Sequence, residues 1–335
     1  MRATGITDSE TQSLAERSVT AVLCTYNRCG VLGGTLARLA ASRLPPSVTW
    51  EILVLDNNST DQTRVVAEEF CRKYPGVFRY VFEPVSGKSY ALNRGVKEAR
   101  GAVLAFVDDD VTVEPTWLHN LTSSLHDGKW AGAGGRTLPA QTFSAPDWFS
   151  VKEFGGLLFG GFDFGDQRCE LAHAPFGANM AFRKEMFAKY GGFRTDLGPG
   201  PNPDIPRPNE DTEFGRRLMA AGEHLLYEPN AVLYHPVELA KLDRQFLSAW
   251  HFDYGRALAR ELENRPASWG IRHSYWSMLK AIGYRLPVGS ARWILSFHAQ
   301  NRFRRKCELW RVAGQTLETY RRCFGDQQKN LVTAP

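Results

Sequence analysis

Strand-length apolar runs alternating with helix-length segments fill the first third of the chain, and no other feature limits its fold as tightly. Val19–Thr25 reads as a buried strand and 31–41 as a helix. Glu51–Leu55 is a second strand, and 61–74 a second helix introduced by the capping candidates Ser59 and Thr60. Val77–Glu83 makes a third strand, 89–99 a third helix, and Ala102–Val107 a fourth strand. Strands that are apolar almost throughout, each separated by a helix, predict a parallel sheet covered on both faces.

In such sheets ligands bind beyond the carboxyl ends of the strands. Two acidic features fall there: Asp56 after the second strand, and Asp108-Asp109-Asp110 after the fourth. A run of three carboxylates can be a solvated turn with Asx hydrogen bonds. It can equally hold a divalent cation that bridges phosphate oxygens. Alternation along an extended segment puts Asp108 and Asp110 on one side and turns Asp109 away.

Residues 131–209 are irregular and rich in Gly, Pro and aromatics, with 174–183 expected as a strand and 198–208 as a Pro-rich loop. A helix follows over 211–221, then two short strands near Leu225 and Val232, then helix to the end. On the 211–221 helix, Asp211 shares a face with Phe214 and Leu218, whereas Glu213 and Arg217 form an exposed i, i+4 pair. Asp211 should therefore be partly buried, which raises a carboxyl pKa and suits a general base. By itself it could also be a simple acid at a helix start.

Five segments occur in order: Thr25-Tyr-Asn-Arg28, Leu55-Asp-Asn-Asn-Ser-Thr-Asp61, Gly87-Lys-Ser-Tyr-Ala-Leu-Asn-Arg-Gly95, Asp108-Asp-Asp110 and Asn209-Glu-Asp-Thr-Glu213. Over residues 18–240 this series resembles the family 2 glycosyltransferases, inverting enzymes of the GT-A fold that use nucleotide sugars. The resemblance implies a mixed, mainly parallel α/β sheet flanked by helices. It also implies a divalent metal, Mn²⁺ or Mg²⁺, and a nucleotide-sugar donor with UDP favoured. Asp110 is implied as metal ligand, and Asp108 as a contact to metal or ribose. Asp109 is carried with the donor-binding set only as a member of the cluster. Thr25, Asn27 and Asp56 are implied to line the nucleotide pocket, and Asp211 to deprotonate the acceptor hydroxyl with Glu210 in support. Lys88, beside a helix N-terminus, suits an anion or a plain surface position. His235, after a short strand, is either a further metal ligand or structural. Asn179 and Arg183 resemble a segment near donor sugar and acceptor. Trp148, Phe149, Phe154 and Phe159 fit sugar stacking or core equally. The Pro-rich loop is expected to close over the substrates.

Chemistry of other classes finds less support. No GxGxxG follows the first strand, which disfavours a dinucleotide-dependent dehydrogenase. A sugar nucleotidyltransferase would need a glycine-rich phosphate loop there and the chain has Tyr26-Asn-Arg-Cys-Gly30 instead; it remains the alternative, with a non-catalytic carbohydrate-binding protein. The six cysteines form no CxxC pair, fitting a reduced setting. Met1–Ser18 lacks a signal-peptide pattern and is expected to be flexible to residue 17; no apolar stretch reaches bilayer length.

The net charge of +5 is unevenly placed. Twelve basic residues lie between Arg265 and Phe324, opposed only by Glu308 and Glu318, and Trp269, Tyr275, Trp276, Leu279, Ile282, Trp293, Phe297, Phe303 and Trp310 interleave with them. This 241–335 extension is expected to be helical. The stripe Phe246, Trp250, Tyr254, Leu258 and Leu262 is read as its packing face against the catalytic domain. Basic and aromatic helices fit a peripheral membrane contact, an oligomer interface or a helical cap. No nucleic-acid module accompanies the charge. The expected setting is the cytoplasm, at the inner face of the membrane. The acceptor expected is a saccharide or lipid-linked hydroxyl; oligomeric state is not readable.

Overall fold

A computed structural model describes residues 17–262 and 271–332, with side-chain surroundings over 17–262 and 276–323. The flexible segment expected before residue 17, together with Trp269 and the side chain of Tyr275, falls outside the described residues. Two compact units are present. One comprises the chain up to Thr142, Phe159–Thr195 and Glu210–Val237; the other comprises Phe143–Leu158, Asp196–Asn209 and the chain from Glu238 onward.

The first unit begins with the expected alternation: β1 (Ser18–Thr25), α1 (Cys29–Ala40), β2 (Thr49–Asp56), α2 (Thr63–Lys73), β3 (Phe78–Phe82), α3 (Lys88–Glu98) and β4 (Val103–Val107). β1 pairs in parallel with β2 on one side and β4 on the other, and β2 with β3. Period-two alternation sends Ala21 and Leu23 into one core layer and Val22 into the other. The first layer is closed by Leu32, Leu36 and Leu39 of α1, the second by Ala91 and Leu92 of α3. Because β2 and β4 leave β1 in opposite directions, the sheet has a switch point at the carboxyl end of β1, where a crevice opens.

Beyond β4 the sheet turns mixed. β5 (Thr112–Val113), α4 (Trp117–Ser123), β6 (Gly132–Pro139), β7 (Cys169–Glu170), β8 (Asn179–Arg183), α6 (Lys184–Tyr190), α7 (Glu210–Ala220) and β9 (Leu225–His235) complete the unit, with α5 (Val151–Phe159) between β6 and β7. The strand order is β3-β2-β1-β4-β8-β6-β9-β5, and β7 also pairs with β9. β8 runs antiparallel to both β4 and β6. The 174–183 strand is thus shortened to its second half, since Asn179 N donates to Phe176 O in a turn. The two strands expected near Leu225 and Val232 are one, continuous through Pro229 because the β6–β9 register shifts between Gly135 and Thr137.

The second unit carries α8 (Arg244–Leu262), α9 (Ile271–Lys280), a π-helical turn (Ala281–Arg285), α10 (Leu286–Ile294) and α11 (Ala299–Val332). The expected stripe on α8 is not its packing face: Phe246 and Leu262 are exposed, and Leu247, Ser248, Gly255, Arg256, Ala257 and Ala259 are buried. The reason is backbone proximity. A Cβ on Gly255 would stand 2.0 Å from Arg311 O, and one on Gly314 1.9 Å from Phe252 O, so α8 and α11 meet at two glycines. Phe149 and Phe154 are buried in this unit, and Trp148 packs edge-on to Phe303 at 4.8 Å. Phe159 is also buried, so these three phenylalanines are core.

Candidate active site

Three strand ends bring the candidate residues of the first unit together. β1 ends on Thr25, β2 on Asp56, and β4 runs into Asp108-Asp109-Asp110. Thr25 Oγ1 is buried with no hydrogen-bond partner of its own, although it stands near enough to Asp109 to favour that carboxylate's charge. Asp56 is buried, and each of its oxygens is already engaged: Oδ1 accepts from Ser59 N at 2.9 Å, Oδ2 from the Tyr80 hydroxyl at 2.8 Å. Asn27, at a φ of 51°, accepts from Thr60 N at 2.8 Å and so ties the loop after β1 to the loop after β2. Ser59 receives Asn27 N, and the helix-entry bond to Thr63 N is made by Asp61 instead of Ser59 or Thr60.

Within the aspartate cluster the three side chains separate by neighbour. The short β5 pairs Thr112 with Tyr234 of β9, so the register continued by one residue sets His235 beside the residues before β5. His235 Nε2 lies 3.9 Å from both Asp108 Oδ2 and Asp110 Oδ1. Its Nδ1 lies 2.9 Å from Pro236 O, which can only accept, so Nδ1 carries the hydrogen. Nε2 is thereby left to face two carboxylates, and with its lone pair free it would complete a set of three donors for a cation. Asp109 is also buried, and burial pushes its carboxyl up to about 6; Asp108 and Asp110 add to this while Thr25 and Arg28 oppose it. Arg28, absent from the sequence-derived site, stands 3.8 Å from Asp109 and 3.6 Å from Asp110.

The donor types fit a hard or borderline divalent ion: two carboxylates and an imidazole. Their 3.9 Å separations exceed the roughly 3 Å between neighbouring ligands on an octahedral ion with bonds near 2.1 Å. Accordingly no group of three potential ligands among the described residues is closed into a cluster.

Lys88 opens α3 behind Gly87, whose φ of 140° turns the chain into the helix. It is neither a surface lysine nor free: Nζ is 3.1 Å from Asp108 Oδ1 and 3.7 Å from Glu210 Oε1. Burial works against its charge, but Asp108, Glu210 and Asp211 outweigh burial and hold the pKa above the ordinary lysine value. Glu210 is buried, and burial followed by the charge of Asp211 pushes its carboxyl to about 8. Asp211 is half-buried; its Oδ1 accepts from Thr212 N at 2.6 Å and Thr212 Oγ1 at 3.0 Å. Its Oδ2 sits over Gly177, where a Cβ would come within 2.1 Å. Lys88, Asp108, Gly177 and Asp211 line one small cavity with Cys24 and Met180.

Two candidates are elsewhere or otherwise occupied. Asn179 lies beside Val107 at the correct end of β4, yet it is buried and bonded to Trp117 Nε1 at 2.8 Å, Arg136 O at 3.0 Å and Ala231 O at 3.0 Å. Arg183 pairs with Val103, at the opposite end of β4 from the aspartates, and binds Glu185 at 2.9 Å. The Glu213–Arg217 pair forms at 2.8 Å, but Glu213 is buried because Arg217 also donates to Tyr190 O and Gly192 O.

A parallel half-sheet ending in an acidic cluster, continued by a mixed half that returns a histidine to that cluster, is the architecture of a GT-A glycosyltransferase. Residues 20–191 match the model of glycosyl transferase family 2, and the chain belongs to that family. Glu210, Asp211 and His235 lie beyond the matched range. The chain is 28% identical over 257 residues to the succinoglycan biosynthesis protein ExoM of Rhizobium meliloti, covering 74% of this chain and 78% of the relative. It is 27% identical over 223 residues to the glucosyl-dolichyl phosphate glucuronosyltransferase of Haloferax volcanii, covering 65% and 68%. Among solved structures it resembles the mannosyltransferase PcManGT of Pyrobaculum calidifontis, solved with GDP-Man and Mn²⁺. The TM-score is 0.58 at 18% identity over 89% of this chain and 86% of that one, a likeness of fold. The protein is a glycosyltransferase, not a nucleotidyltransferase or a non-catalytic binding module.

Proposed function

We propose that this glycosyltransferase moves a sugar with inversion from a nucleoside-diphosphate sugar, UDP favoured, to a hydroxyl of a saccharide or lipid-linked acceptor in surface polysaccharide or glycolipid synthesis. The observation that carries the reading is the placing of His235 Nε2 at 3.9 Å from both Asp108 and Asp110, while Lys88 joins Asp108 to the Glu210–Asp211 pair. Asp110, Asp108 and His235 would hold Mn²⁺ or Mg²⁺, as the mannosyltransferase of like fold was solved with Mn²⁺. Bound there, the ion supplies Lewis-acid stabilisation of the charge that develops on the departing diphosphate.

The chain's own residues do the rest. Thr25, Asn27 and Asp56, at the ends of β1 and β2, would face the nucleoside side of the crevice. Asp211 Oδ2, the carboxylate oxygen not tied to Thr212, takes the proton of the acceptor hydroxyl. The acceptor's hydroxyl oxygen, its proton passed to Asp211, bonds to the anomeric carbon as the bond to the diphosphate breaks, and the electron pair leaves with the diphosphate. Glu210, protonated near neutrality, and cationic Lys88 position Asp211 instead of competing with it as base. A lipid-linked acceptor is supported by the dolichyl phosphate in the name of the Haloferax relative. It brings with it a peripheral contact of the basic C-terminal helices with the membrane, at its cytoplasmic face.

Transfer assays on Asp110→Ala and Asp211→Asn test the assignment. Both should lose at least about a thousandfold in kcat, Asp110→Ala with loss of metal-dependent donor binding and Asp211→Asn with donor binding intact. Near-normal turnover by either variant removes that residue's role.

A further inference from the structure

The second unit exposes a series of large apolar side chains that its own packing leaves uncovered. On α9 and the π-helical turn, Met278 and Ala281 are buried, whereas Trp276, Leu279, Ile282 and Tyr284 are exposed. At the end of α10 and just past it, Ile294 and Leu295 are about two-thirds exposed and Phe297 is 99% exposed. Single exposed apolar side chains need no explanation, but a series of large ones on consecutive helices does.

Charge accompanies this surface. Residues 264–307 contain nine Lys and Arg and no Asp or Glu. Lys280 and Arg285, with Trp276, Ser277 and Leu279, line an open groove of about 730 Å³. Neither cation has a hydrogen bond or ion pair among the described residues. Arg285 is half-buried, and burial together with Arg311 lowers its pKa, so an anion in the groove would relieve it.

We propose that the α9–α10 surface docks on an anionic lipid bilayer, with Trp276, Ile282, Tyr284, Ile294, Leu295 and Phe297 entering the headgroup–acyl boundary and Lys280, Arg285 and Arg292 meeting lipid phosphates. The proposal deepens the peripheral contact stated above and is independent of the transfer chemistry. No helix among the described residues is long and apolar enough to cross a membrane, so the surface lies on the bilayer. A second copy of the chain is a poorer occupant, because a two-fold interface would set this acid-free surface against itself. Nucleic acid would answer the cations but leave Ile294, Leu295 and Phe297 in water, whereas a bilayer answers both.

The test uses the full chain and vesicles of phosphatidylcholine alone or mixed at about 7:3 with phosphatidylglycerol, scored by co-sedimentation. Two variants are compared: Trp276→Ser/Ile282→Ser/Phe297→Ser and Lys280→Glu/Arg292→Glu. The wild type should partition onto the anionic vesicles at least about tenfold better than onto neutral ones, and each variant should lose at least about tenfold of that. Melting-temperature increments produced by UDP with Mn²⁺ should be unchanged in both variants, which keeps the two proposals separable. Equal, negligible binding to both vesicles overturns the docking surface, as does undiminished binding by both variants. So does a concentration-dependent dimer, seen by light scattering, that the apolar variant dissolves. If donor stabilisation fails while vesicle binding persists, the docking stands and the donor reading falls.

Discussion

Glu210 and Asp211 are adjacent carboxylates with different surroundings, and the difference has a measurable sign. Glu210, pushed up to about 8 by burial and then by Asp211, is protonated in the folded protein at a pH where an unfolded glutamate is not. Its contribution to stability is therefore fully present below the unfolded value of 4.5 and is lost as pH rises towards 8. Glu210→Gln should abolish this loss. In metal-free thermal melts the melting temperature of the wild type should fall relative to the variant between about pH 5 and 8, at roughly 2–4 °C per kcal/mol; parallel profiles would show that Glu210 is ionised throughout. Gly177 is bound to Asp211 by space, since a Cβ there would press on Oδ2. Gly177→Ala should lower kcat about a hundredfold, with donor KM nearly unchanged, because a displaced base costs rate before it costs binding. The sequence placed both carboxylates at the start of a helix, where they lie, but left their role open between a base and a simple helix-start acid. It failed for Arg183 because a strand pattern does not say which end of an antiparallel partner faces the site. Arg28 closes the first quoted motif, but its contact with the aspartates, like that of Gly177 with Asp211, joins residues far apart in the chain and was not legible there.

Strands and helices were readable in proportion to how locally their pattern is fixed. β1 to β4 and α1 to α3 have continuous apolar runs or clear periodicity. β6 and β9 do not, because Gly132 and Gly134 are there for close approach to Phe182 and Pro175, and Pro229 lies inside a strand. On α8 the aromatic stripe misled, since glycine-mediated backbone contact chose the other face. The same helix pair buries an ion cluster: Glu318 receives Arg256 at 3.0 Å and Arg260 at 2.6 Å. Both arginines also donate to Asp204 O, and Arg260 to Asp196 O at 2.8 Å. The Pro-rich loop is thus fastened to α8 just before its start, at Asp196, and within it, at Asp204. Glu318→Ala leaves two largely buried guanidinium groups without their shared counterion and should cost about 3–5 kcal/mol. Urea melts would measure this, and hydrogen exchange should show protection lost first in 196–209 and α8. Unchanged stability would mean that other carboxylates can replace Glu318.

For the chain as a whole, charge is segregated between the two units. Acidic groups converge on the crevice of the sheet unit, and the acid-free stretch, over its described residues from 271, lies mainly on helices of the other. The fold was the part most readable from sequence, because ordered motifs on strand ends constrain topology. Sugar and acceptor identity were not readable, since they depend on side chains that meet only in three dimensions. The central claim is that Asp110, with Asp108 and His235, holds a cation through which the nucleotide binds. Calorimetric titration of UDP into the protein, with Mn²⁺ and with EDTA, tests it most directly when repeated on Asp110→Ala and His235→Ala. The wild type should bind only with Mn²⁺, Asp110→Ala should show no detectable binding, and His235→Ala should bind about tenfold or more weakly. Metal-independent binding of equal strength in all three proteins would contradict it.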